Sequence, residues 1–140
     1  MENGPPDVVR WTPRSGEHGD CAVVAISLAT GFTYEETLSA CLSIQPGVLH
    51  VGLSGKHIKQ VLALLGFTSR LHKKRYDLNE DTGLLWVVDT KDEGHIVYLW
   101  AGRVIDPIKS ERTALWLEAD DYVRVGQWTV EGLITLEEDK

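Results

Sequence analysis

Three residue types that together perform nucleophilic acyl chemistry occur in order along the chain: Cys21, His95 and Asp106. Cys21 follows the polar stretch HGD (18–20) and opens the apolar run AVVAISLAT. A cysteine at a helix N-terminus faces unpaired backbone N–H groups and the positive end of the helix dipole, and both stabilise a thiolate. A thiolate needs a base to manage its proton, and the base needs a group to orient it. His95 begins the strand-like HIVYLW, and Asp106 lies in VIDP just past the turn AGR (101–103). A turn centred on Ala101 and Gly102 pairs Trp100 with Arg103 and Val97 with Asp106. His95 and Asp106 are then diagonal neighbours on one face, with Cα atoms about 7–8 Å apart. A loop one residue longer turns Asp106 to the other face. Cys21, His95 and Asp106 are thus candidates for a nucleophile, a base and the group that orients the base. Asp89 or a backbone carbonyl is the fallback for the last role. The alternative for Cys21 is a small hydrophobe in the core, and for Asp106 a solvated turn residue.

The elements that must position these residues can be read from periodicity. Residues 1–18 are rich in Pro, Gly and charge and form an irregular lead-in. Residues 21–30 are apolar on nearly every side, which predicts a helix buried all round and stopped by Gly31. Thr33 and Glu36 form a capping box for a second helix, with Tyr34, Leu38, Cys41 and Leu42 on its inner face. Ser54 caps a third, with Ile58, Val61, Leu62 and Leu65 as its stripe and Gly66 as its end. Strands are predicted at 84–90 and 95–107, with turns at KDEG (91–94) and AGR (101–103). A short helix is expected within ALWLEADDYVRVG and a last strand in WTVEGLITLEE. Helices first and an antiparallel sheet afterwards make an α+β domain spanning 1–140, helical over 19–66 and mainly sheet over 67–140. Trp86, Tyr98 and Trp100 are expected in the sheet core, one of them walling a cleft beside His95.

The chain has 140 residues and a net charge of −7, which disfavours binding to nucleic-acid phosphates. HKKR (72–75) reads as a solvated strand end. No apolar run reaches the roughly 18 residues of a membrane span, and the N-terminus lacks a signal-type core, so a cytoplasmic protein with no membrane partner is expected. Two cysteines, Cys21 and Cys41, make no disulfide framework. His18, Cys21, Cys41 and His50 fit no common zinc spacing, and no phosphate-binding glycine pattern follows a strand, so neither metal nor cofactor is expected.

The pieces GDCAVVAISLATGFTYEE, GHIVYLW and VIDP, with the helix GKHIKQVLALLGF, resemble the papain-like cysteine peptidases. The resemblance spans residues 15–108. It is strongest to the bacterial branch that processes double-glycine leader peptides and to small phage and bacterial proteins of that design. It implies a helical lobe carrying Cys21 against an antiparallel sheet carrying His95 and Asp106, and a peptide or protein substrate. One departure concerns the oxyanion. The family places a Gln where this chain has Ser15, and no Gln precedes Cys21. The backbone N–H of Cys21 is one donor, and Ser15 or His18 are candidates for the second. Losing such a donor costs about 2.7–4 kcal/mol of transition-state stabilisation. The leading expectation is a thiol hydrolase of peptide or isopeptide bonds. The rivals are a papain-like binding module without turnover and an acyl-transfer enzyme of transglutaminase type.

Overall fold

The computed structural model describes residues 21–48, 52–105 and 117–139. Asp106, Ser15, His18 and His50 lie outside them. The elements run α1 (Cys21–Thr30), α2 (Tyr34–Ile44), α3 (Gly55–Leu64), β1 (Phe67–His72), β2 (Thr82–Val88), β3 (Gly94–Trp100), β4 (Arg103–Ile105), β5 (Leu117–Glu118), α4 (Ala119–Gly126) and β6 (Thr129–Glu138). The architecture is α+β, as expected. The six strands form one antiparallel sheet in the order β1-β6-β2-β3-β4-β5. Among the described residues no helix is long and apolar enough to cross a membrane.

Helix α1 is buried from Ala22 through Leu28. Its polar side chains are satisfied within the chain: Ser27 Oγ donates to the Phe32 carbonyl at 2.7 Å, and Thr30 Oγ1 to the Ile26 carbonyl at 2.8 Å. Gly31 takes φ 85° and ends the helix. The predicted capping box closes α2. Thr33 N–H donates to Glu36 Oε1 at 2.9 Å, and Glu36 N–H to Thr33 Oγ1 at 3.1 Å. Its inner face is Tyr34, Thr37, Leu38 and Cys41. Leu42, expected there, is 39% exposed. It falls about 90° from the centre of that arc, and Thr37 occupies the place instead.

The sheet has two covered faces. Leu84, Ile96, Tyr98, Ile105 and Ile134 pack against the helices α1, α2 and α3. Leu85, Val87, Val97, Leu99, Val104 and Leu133 pack against Tyr122 and Ala119 of α4. Strand β1 is marked in the sequence only by its end: HKKR (72–75) reads as a solvated strand end, and β1 finishes at His72. Its residues, FTSRLH, are mostly polar, as suits a strand with only β6 as neighbour.

The hairpin β3–β4 meets the condition set by the sequence. Trp100 pairs with Arg103, Leu99 with Val104 and Tyr98 with Ile105. Both turn residues have positive φ, Ala101 at 42° and Gly102 at 95°, as a two-residue type I′ turn demands. Glycine takes this conformation freely, whereas alanine is strained in it. Ala101→Asn should therefore stabilise the protein by about 0.5–1 kcal/mol. A urea midpoint that moves up at unchanged slope is the expected result, and no gain would show that the turn is not of this type.

Candidate active site

Cys21 is the first residue of α1 and half-buried there. Because α1 packs on β3, its N-terminus comes to the end of the sheet where β3 begins. A cleft of about 500 Å³ opens at this end. Cys21 and Ala22 wall it from α1, Gly52, Leu53 and Ser54 from the approach to α3, Gly55 and Ile58 from α3 itself, and Glu93–Ile96 from the β2–β3 turn and β3. Trp86 and Ile134 are also in its lining. The structure thus brings Cys21 and His95, 74 positions apart in sequence, to one cavity. Trp86 is the aromatic that walls it. Tyr98 lies in the buried sheet core, where desolvation pushes its phenol up to about 12.

His95 pairs with Val87 across β2–β3, so its side chain belongs to the α4 face of the sheet. Cys21 approaches from the helical face. Both line the one cleft because His95 is the second residue of its strand, at the sheet end where the cleft opens. Residue Asp106 lies outside the described residues, so its contacts with His95 form no part of this geometry. The described register ends at Ile105.

A residue missed by the sequence analysis secures the His95 ring. Trp128 stacks on it with ring centroids 5.5 Å apart and an interplanar angle of 19°. Tyr122 stacks on Trp128 at 5.7 Å and 16°. The rings of His95, Trp128 and Tyr122 form a column joining the candidate base to α4. Gly126 makes room for it: a Cβ there would sit 2.5 Å from the Trp128 indole nitrogen. Trp128 Nε1 is buried with no hydrogen-bond partner among the described residues, and the ring stacking holds the indole. Nothing local in the sequence marks Trp128, because the partner lies 33 positions away across the sheet. Trp128→Leu should shift the His95 imidazole C–H resonances downfield through loss of the indole ring current, and Trp128→Phe should shift them less. An unchanged spectrum in Trp128→Leu would place His95 away from the ring.

Asp89 holds the turn that precedes His95. Its Oδ1 accepts from the backbone N–H groups of Lys91 at 2.8 Å and Glu93 at 2.9 Å. The Glu93 N–H is the largest cause of its lowered pKa, with the Lys91 N–H and the charges of Lys91 and His95 acting in the same direction and desolvation opposing. Cys41 behaves as core: it is fully buried, and burial pushes its thiol up to about 12. Of the zinc-type set, Cys21 and Cys41 are free thiols at the start of α1 and within α2. Among the described residues no group of three His, Cys, Asp or Glu is arranged to hold a metal ion. Titration of the folded protein with an aromatic disulfide reagent should show one fast thiol, Cys21, and a second only on unfolding. Fast reaction of both would contradict the sealed environment of Cys41.

No protein-family model matches the chain, and no curated protein is significantly similar to it. Solved structures are similar in fold. The peptidase domain of Streptococcus ComA, a bifunctional ABC transporter of a quorum-sensing pathway, superposes with a TM-score of 0.60 at 15% identity, over 94% of this chain and 99% of that one. A double-glycine-motif protease from an AMS/PCAT transporter, solved with its leader peptide, gives 0.57 at 10% identity, over 98% and 99%. The peptidase domain of Streptococcus mutans ComA gives 0.52 at 16%, over 91% and 98%. The chain therefore has the papain-like fold of double-glycine leader peptidase domains.

Proposed function

We propose that the protein is a thiol peptidase that cleaves a peptide or isopeptide bond with Cys21, His95 and Asp106. The observation that carries this reading is the convergence of Cys21 and His95 on one cleft, from a helix N-terminus and a strand start. In the proposed reaction His95 takes the proton of the Cys21 thiol, and the sulfur attacks the scissile carbonyl carbon. The carbonyl oxygen becomes an oxyanion held by the Cys21 N–H and a second donor, for which Ser15 and His18 are the candidates. His95 then protonates the leaving amine as the C–N bond breaks, leaving an acyl-thioester. Water, deprotonated by His95, attacks that carbonyl and releases the acid and the thiol.

Asp106 is proposed as the orienting group. Its support is the two-residue turn at Ala101–Gly102, the loop length on which the sequence register of His95 and Asp106 depends. Asp89 is the less suited carboxylate, because its Oδ1 is already committed to two N–H groups of its own turn. The leader-peptide complex of the structurally similar protease suggests a Gly-Gly pair as the first substrate feature to offer.

The test is hydrolysis of fluorogenic peptides with Gly-Gly before the scissile bond. Wild type should turn over. Cys21→Ser should abolish turnover at nearly unchanged melting temperature, His95→Ala should abolish it as well, and Asp106→Asn should lower kcat by roughly 10²–10⁴. Asp89→Asn should retain kcat. Turnover that survives Cys21→Ser would refute the reading. A second reading, a binding module of this fold without turnover, is favoured by Ser15 standing where the family has Gln. Tight binding of the same peptides without cleavage would establish it.

A further inference from the structure

A second hollow, of about 490 Å³, adjoins the Cys21–His95 cleft. The two share Gly55, Ile58, Trp86 and Ile134 in their walls, so they form one continuous groove with Trp86 at the junction. Away from the cleft, the second hollow is lined by Lys56 and Lys59 of α3 and by Ser69, Arg70 and Leu71 of β1. Leu71 is 42% exposed, a large apolar side chain left uncovered. Lys56, Lys59 and Arg70 are exposed, and none is paired with a carboxylate among the described residues. Among the described residues no carboxylate lines this hollow. Glu137, Glu138 and Asp139 lie instead along the start of β1, opposite Thr68 and Phe67 or bonded to Thr68.

The sequence shows the same segregation. The chain has 21 acidic residues and a net charge of −7, yet between Glu36 and Asp77 it has no Asp or Glu. That interval holds six of the 14 Lys and Arg, and it builds α3 and β1. A basic, partly apolar trough has therefore been kept on an acidic protein, continuous with the candidate catalytic cleft.

We propose that this trough docks an acidic segment of the peptide whose scissile bond lies between Cys21 and His95. Glu or Asp side chains face Lys56, Lys59 and Arg70, and an interspersed apolar residue lies on Leu71, Ile58 and Trp86. This rests on the peptidase reading for its placement, although docking itself needs no turnover. A nucleic acid is the less suited occupant. The floor of the trough is apolar, the rest of the protein repels phosphate, and the groove leads to a thiol–imidazole pair.

The experiment uses fluorescein-labelled peptides built around Gly-Gly, with Glu and Leu alternating on one side of the pair. Companion peptides carry Gln in place of Glu. Binding is measured by anisotropy on the full chain bearing Cys21→Ser, which cannot cleave the probe. The Glu peptide should bind about tenfold more tightly than the Gln peptide at low salt, roughly what three exposed ion pairs supply together, and the advantage should shrink in high salt. Combined Lys56→Glu, Lys59→Glu and Arg70→Glu should erase the preference. These exposed positions leave the core untouched, and an unchanged melting temperature is the control.

Equal binding of the Glu and Gln peptides, or an undiminished preference in the charge-reversed chain, would overturn the proposal. Displacement of the Glu peptide by a single-stranded oligonucleotide at far lower concentration would overturn it in favour of nucleic acid. Cleavage separates the two readings. In the chain with Cys21 intact, a short Gly-Gly substrate that is cut without benefit from a Glu extension sinks the docking site and leaves the peptidase. Charge-dependent binding with no cleavage of any peptide sinks the peptidase and leaves the docking site.

Discussion

The packing of α1, a helix buried on nearly every side, on β3 is the constraint on which the rest of the structure depends. A helix with no polar face has no solvent side to turn outward, so it must be enclosed by α2, α3 and the sheet. Enclosure fixes its axial position, because Val23, Val24, Ala25 and Ile26 are all sealed against neighbours and a slide along the axis would leave voids. The first residue of that helix is Cys21. The thiol is therefore placed relative to Gly94 and His95 by core packing, and no polar contact of its own is needed to hold it there.

His95 is placed by a different set of forces. Its backbone is set by the β2–β3 ladder and by the Asp89 turn, and its ring by the stack on Trp128. Trp128 is in turn delivered by α4 and the left-handed Gln127 that ends it. A bulge in β6 opposite Trp86 and Val87 lies beside the same strand end. Bulges bend and twist a sheet edge, and one here adjusts the strands on which both Trp86 and His95 depend. Cys21 and His95 thus belong to opposite faces of one sheet and line one cleft at its end, each on its own support.

Much of this was legible in the sequence because it is governed by local rules. The capping box at Thr33, the cap at Ser54, the terminating glycines Gly31 and Gly66, and the two-residue turn at Ala101–Gly102 each follow from side-chain hydrogen bonds or positive φ within a few residues. So does the order Cys21 then His95, whose shared cleft follows once the helix is packed on the strand. What escaped was set by contacts distant in sequence. Strand β1 exists because β6 offers it an edge, and its own residues carry little alternation. Leu42 was assigned inward by apolar character, yet helix geometry puts Thr37 there. Trp128 reads as the start of a strand, and only the tertiary fold makes it the neighbour of His95.

The central claim is that Cys21 and His95 act on each other across the cleft, and the most direct measurement is the alkylation rate of Cys21. Iodoacetamide labelling, followed by peptide mass at neutral pH, should be compared in wild type and His95→Ala. The account predicts a fall of roughly tenfold or more without His95, because the imidazole no longer accepts the thiol proton or stabilises the thiolate. Equal rates in the two proteins would contradict it, and would leave Cys21 as a cysteine that happens to begin a buried helix.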